Sequence, residues 1–239
     1  MLASTTKRLE NRIALITGAS RGIGAAVAKH FAAEGAHVIL IARTIGGLEQ
    51  IDDEIKSLGG SATLIPCDLN DLDRIDNMGP SLLERFGKLD ILIGNAAILG
   101  TMTPLTHYKT KSWNEVFDVN VHANWRLMRV AEPLLKLSDA GRAIFVTTSA
   151  TKNPKAYWGA YAITKSALET MAKVWASELK NTSVRVNLLS PGPTLTKMRQ
   201  TAFPGESPSI LKTPDTLGDI FLELASHNCE AHGELIEFQ

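Results

Sequence analysis

The sequence has no cysteine cluster, no metal-binding spacing and no excess of charge of either sign. Its two cysteines, Cys67 and Cys229, lie far apart and form no Cys-x-x-Cys. Neither a disulfide framework nor a thiolate metal site is expected, and both thiols read as small core hydrophobes. The six histidines show no His-Glu-x-x-His pattern and no clustering, so no metal is expected. Basic and acidic residues number 25 each, which leaves no field to draw nucleic acid or an anionic membrane. The most apolar stretch, 91–99, is too short to cross a bilayer. The opening MLASTTKRLENR is polar and carries no signal-peptide core, so the expected location is cytoplasmic.

What is present is a rhythm. Seven short apolar runs alternate with helix-period segments along one domain, residues 1–239. The runs are 13–17, 38–41, 62–65, 91–93, 143–147, 184–189 and 235–238. Helical patterns occupy the stretch after Gly22, then 48–58, 72–86, 112–137, 160–179 and 215–224. Continuously apolar strands separated by helices predict an α/β fold, a doubly wound seven-stranded parallel sheet with helices on both faces. In such a sheet ligands bind at the carboxyl ends of the strands. The Pro/Gly-rich stretch 191–214 is long enough to suggest a functional loop, and a substrate loop is expected near 193–213.

Gly18, Gly22 and Gly24 stand between the first strand and the first helix. Glycines there let the backbone approach a pyrophosphate, while a helix N-terminus offers free N–H groups. With Thr17 the segment reads TGASRGIG and resembles the cofactor motif of the short-chain dehydrogenase/reductase family. That resemblance puts Ser20, Arg21 and Ile23 at the cofactor beside the glycines. Lys165-Ser166 is no P-loop, because Thr164 replaces the required glycine and no strand precedes it. The second strand ends Ile41-Ala42-Arg43. An acid at that point would favour the 2′-hydroxyl of NAD, whereas arginine accommodates a 2′-phosphate. Arg43, with Arg21 closing from the glycine turn, therefore predicts NADP(H) as the preferred cofactor, with NAD(H) also admissible.

Tyr161 and Lys165 are one turn apart on a helix and share a face. Ser149 lies twelve residues before Tyr161, at the end of the fifth strand, and Thr148 beside it is the alternative hydroxyl. Asn120 falls within the long helical pattern 112–137. The family uses a Ser–Tyr–Lys triad and an Asn from the preceding helix, and all four residue types occur here in that order. The likeness, closest in kind to 3-oxoacyl-ACP reductase-like members, runs from Arg12 to about Phe238. It implies that Asp68 and Leu69 meet the adenine, that Asn95, Ala96 and Ala97 border the nicotinamide side, and that Pro191, Gly192, Thr194 and Thr196 hold the nicotinamide amide. It also implies that Lys165 holds the ribose hydroxyls and that Asn120 continues a proton relay through water. Ala97 departs from the usual glycine.

The chemistry expected is interconversion of a carbonyl and an alcohol by hydride transfer, with Tyr161 as general acid/base, its phenol lowered by Lys165 together with the positive nicotinamide of the oxidised cofactor. Ser149 would stabilise charge on the substrate oxygen. The substrate is a small carbonyl or alcohol, with 3-oxoacyl thioesters one class by analogy. Ile98, Tyr157, Trp158, Met198 and Phe203 are expected to face it. A non-catalytic NADP-binding regulator is the alternative, and the intact triad argues against it. A sugar-nucleotide epimerase is disfavoured by the glycine spacing and the small C-terminal part. The chain ends soon after its last strand, without the tail that helps build the family's tetramers, so a homodimer through the helices bearing Asn120 and Tyr161 is expected. Met171, Val174 and Trp175 are its candidate contacts, or else ordinary core residues.

Overall fold

A computed structural model describes residues 7–238. Seven strands appear in it: β1 (Ile13–Thr17), β2 (His37–Ala42), β3 (Ser61–Pro66), β4 (Ile91–Gly94), β5 (Arg142–Val146), β6 (Arg185–Ser190) and β7 (Leu235–Glu237). They form one sheet in the order β3-β2-β1-β4-β5-β6-β7, and every pairing is parallel. The chain winds outward from β1 to β3, then returns to lay β4 against the other side of β1. That reversal opens a crevice between the carboxyl ends of β1 and β4.

The runs 13–17, 38–41, 91–93 and 143–147 carry no polar alternation because both faces of the sheet are buried there. Leu15, Ile39 and Ile41 enter one core, and Ile16, Val38 and Leu40 enter the other. The helices are α1 (Gly22–Ala33), α2 (Ile45–Ser57), α3 (Leu72–Asp76), α4 (Met78–Phe86), α5 (Thr110–Phe117), α6 (Ala123–Lys136), α7 (Gly159–Leu179), α8 (Lys197–Ala202) and α9 (Gly218–Ala225). Phe31 of α1, Ile55 of α2 and Phe221 of α9 cover one face, while Leu82 of α4, Leu127 of α6 and Leu168 of α7 cover the other. Among the described residues no helix is long and apolar enough to cross a membrane.

Two long helical patterns are broken in the structure. The segment 72–86 splits at Asn77 into α3 and α4. Pro80 lies in the first turn of α4, and its ring would collide with the carbonyl of Asp76 in a continuous helix. The segment 112–137 is interrupted by a wider, π-type turn over Asp118–His122, between α5 and α6. Such turns often mark functional sites. The stretch 191–214 is not wholly irregular, since it contains α8.

Candidate active site

The site begins where β1 ends. Gly18 takes φ +66, a left-handed turn that an L side chain resists. A methyl on Gly24 would lie 2.4 Å from the Gly18 carbonyl oxygen, so α1 can start this close to the strand only with glycine there. Arg21 occupies the N-cap of α1 and makes no side-chain capping bond. The first N–H groups of α1 are therefore left for an anion. Thr17 locks the turn: its hydroxyl donates to Ile93 O at 3.2 Å and accepts from Asn95 N and Ala96 N, both at 3.0 Å. The Asn95 side-chain amide returns to Thr17 O at 2.9 Å. These bonds tie the end of β1 to the end of β4, where the crevice opens.

A cleft of about 900 Å³ runs along these carboxyl ends. It brings together nearly all the expected cofactor residues. Gly18, Ser20, Arg21, Gly22 and Ile23 form one end, with Arg43 beside them. Asp68 and Leu69 border the same end, and Asn95, Ala96 and Ala97 line the middle. Pro191, Gly192, Thr194 and Thr196 come over from the far side of β6. Gly24 does not line the cleft; its part is the close approach to Gly18. An uncapped helix start, a glycine cradle with no room for a Cβ and two exposed arginines fit a dinucleotide carrying an extra phosphate.

Tyr161 and Lys165 both line this cleft from α7, with 8% and 2% of their surface exposed. Burial pushes the Tyr161 phenol up to about 12, against a hydrogen bond with Thr148 that favours the phenolate. Burial pulls the Lys165 ammonium down to about 8, against the Glu169 carboxylate one turn along. The ammonium donates to Val146 O at 2.7 Å. In the unliganded protein desolvation dominates, and the phenol stays protonated at neutral pH.

Of the two candidate hydroxyls, Thr148 is the one whose hydrogen bond favours the Tyr161 phenolate. Thr148 continues the extended backbone of β5, with φ −157. Ser149 begins a single tight turn after it and is exposed, although it too borders the cleft. Asn120 is fully buried and does not line the cleft. Its side chain accepts from Ile98 N at 2.9 Å and donates to Ile98 O and Thr164 Oγ1, each at 3.0 Å. Its amide thus holds the segment after β4 and the helix of Tyr161. The carbonyl of Asn120 accepts from the Asn124 amide at 2.9 Å.

A family model described as short chain dehydrogenase matches residues 12–207. The chain belongs to the short chain dehydrogenases. It is 36% identical over 222 residues to an uncharacterized oxidoreductase of Escherichia coli K12, YciK, covering 90% of this chain and 86% of that protein. A short chain dehydrogenase structure from Pseudomonas syringae superposes with a TM-score of 0.94 at 35% identity, over 99% of this chain and 98% of the other. A third, from Escherichia coli CFT073 and solved with NADPH, gives 0.91 at 34% identity, over 98% of both chains.

Within this short chain dehydrogenase the substrate end departs from the sequence reading at two positions. Ile98, Trp158 and Met198 line the cleft, but Tyr157 and Phe203 do not. Tyr157 sits at φ +71 and is 57% exposed. Its left-handed backbone turns the chain so that the next residue, Trp158, enters the cleft. Phe203 packs against Trp158 from outside, with ring centroids 5.4 Å apart. Of the candidate dimer contacts, Trp175 is core, donating its indole N–H to Glu132 at 2.7 Å, and Met171 packs beside it. Val174 is 53% exposed. Arg199 and Thr147 also line the cleft, and no residue pattern in the sequence marks either of them.

Proposed function

We propose that this short chain dehydrogenase is an NADP(H)-dependent oxidoreductase that interconverts a ketone or aldehyde and its alcohol. The observation that carries the reading is the meeting of Tyr161, Lys165 and Thr148 at one end of the cleft whose other end is the uncapped glycine turn. Arg21 and Arg43 at that turn favour the 2′-phosphate, and a structural neighbour was solved with NADPH.

When bound, the nicotinamide supplies or accepts the hydride. The chain supplies the rest. Tyr161 keeps its proton at neutral pH and gives it to the carbonyl oxygen during reduction. Thr148 has a single O–H, which donates to the carbonyl oxygen before the proton transfer and turns to the phenolate after it. The Lys165 ammonium, held by Val146 O, keeps positive charge beside that phenolate. Asn120 positions Ile98 and α7 through its amide. Ser149 is the second hydroxyl at the mouth. The cytoplasm suits a chain of this kind, and a homodimer across the α7 face would cover the exposed Ile163 and Val174.

The test is NADPH oxidation across carbonyl classes: aldehydes, ketosteroids, quinones, sugars and 3-oxoacyl thioesters. Carbonyl-dependent turnover that vanishes in Tyr161→Phe supports the assignment. Tight NADPH binding with no turnover on any class would instead mark a cofactor-binding regulator.

A further inference from the structure

A line of planar groups leads from the surface to the Tyr161 phenol. Arg199, on α8, places its guanidinium 3.8 Å from the centre of the Phe203 ring. Phe203 meets Trp158 at 5.4 Å, and Trp158 meets Tyr161 at 5.9 Å. The outer end is anchored twice. Glu206 accepts two bonds from the Arg199 guanidinium, both at 2.6 Å, and Thr196 caps α8 by accepting from Arg199 N at 3.1 Å. The inner end is aimed by the left-handed Tyr157, a backbone conformation that an L residue adopts only where surrounding structure requires it.

We propose that Trp158 is a specificity-determining wall for planar, aryl-bearing carbonyl substrates, and that Phe203 and Arg199 are positioning residues that hold it against the reacting end of the cleft. This rests on the reading of Tyr161 as the acid/base group. The indole lines the cleft, and neither neighbour lies flat on it, the planes crossing at 67° with Tyr161 and 45° with Phe203. Aromatic surface therefore remains for a third ring placed in the cleft, in the offset or edge-on arrangement that aromatic pairs prefer. Ile98, Leu99, Val119 and Met198 complete an apolar enclosure. Arg199 is no counter-ion for an acidic substrate, because Glu206 neutralises it in place.

The test uses benzaldehyde and cyclohexanecarbaldehyde as substrates, and benzamide and cyclohexanecarboxamide as unreactive mimics. An amide carbonyl accepts the same hydrogen bonds without taking a hydride. With the NADPH-loaded protein, calorimetry should show benzamide bound about two- to twelvefold tighter than its cyclohexyl counterpart, the fold-change given by the ~0.5–1.5 kcal/mol of an aromatic pair. Trp158→Leu should bring that ratio to about one. Phe203→Ala should lower it, and Phe203→Tyr should restore it. The same ratios should appear in KM for the two aldehydes, with kcat for benzaldehyde changing less than KM in Phe203→Ala. Equal affinity for the two amides in the wild type, or an unchanged ratio in Trp158→Leu, would overturn the proposal whatever the turnover. An aryl preference that vanishes with Trp158, in a protein whose turnover survives Tyr161→Phe, would uphold the wall and remove the acid/base reading instead.

Discussion

The Lys165 ammonium donates to the Val146 carbonyl at 2.7 Å, and this bond fastens the helix carrying the phenol to the last residue of β5. The charge is fully enclosed, and burial holds it at about 8, well below the ordinary lysine value of 10.5. A group depressed in the folded state contributes stability that is fully present above its unfolded value and is lost as pH falls through its folded value. Wild-type stability should therefore climb between about pH 8 and 10.5, and Lys165→Met should abolish that climb. Unfolding in urea at pH 7 should find Lys165→Met more stable by up to about 3 kcal/mol, less whatever the orphaned Val146 carbonyl costs, while turnover falls at least ~10²-fold. Tyr161 acts oppositely, losing stability above about pH 10, and cancels because both proteins carry it. Parallel stability–pH curves for the two proteins would contradict this account of the charge.

Removing the phenol oxygen should leave the glycine turn untouched. Tyr161→Phe is expected to retain NADPH affinity within about threefold and to lose ~10²–10⁴ in kcat, the range for a general acid. Fluorescence titration and steady-state rates on the same preparation read both quantities.

The two adjacent hydroxyls are separable. Thr148→Ala should lower kcat by ~10² or more, Thr148→Ser should retain most of it, and Ser149→Ala should stay within about threefold of wild type. The reverse order of damage would return the role to Ser149.

Cofactor choice is expected to follow Arg43. Arg43→Asp removes a charge-assisted contact of ~1.5–3 kcal/mol and adds repulsion, so the NADPH/NADH ratio of kcat/KM should drop by ~10² or more. An unmoved ratio would place the 2′-phosphate elsewhere.

Two glycines make a contrasting pair. Gly24→Ala would press a methyl onto the Gly18 carbonyl and should cost both stability and NADPH binding. Gly46, in the first turn of α2, has nothing within 4 Å of a built methyl, so Gly46→Ala should raise stability by ~0.5–1 kcal/mol. Thermal melts with and without NADPH compare them.

The sheet was legible because short, mostly apolar runs recur between helical patterns, and those at 38–41 and 91–93 are apolar at every position, as strands covered on both sides must be. Gly18, Arg43, Tyr161 and Lys165 were legible because their residue types and spacing have a chemical reason. The assignments that moved depended on backbone direction. Thr148 and Ser149 differ by one residue, and the extended course of β5 through 148 decides which hydroxyl meets the phenol. Tyr157 and Trp158 look alike as candidate aromatics, and a left-handed backbone sends one outward and the other inward. The two broken helices hid for different reasons: Pro80 was a readable break signal, whereas the wide turn at Asn120 depends on an amide reaching a segment far away in sequence. Arg199 carries no pattern at all, since its place is set by Glu206 and Phe203 after the loop has folded.

The Thr17 hydroxyl bears on the order of assembly during synthesis. Its partners Ile93, Asn95 and Ala96 emerge from the ribosome long after the glycine turn itself. A nascent chain that ends within β3 can pair its first three strands, yet the turn would lack the hydrogen bonds that set its shape. Capture of the dinucleotide by growing chains should thus switch on abruptly, once the fourth strand has docked.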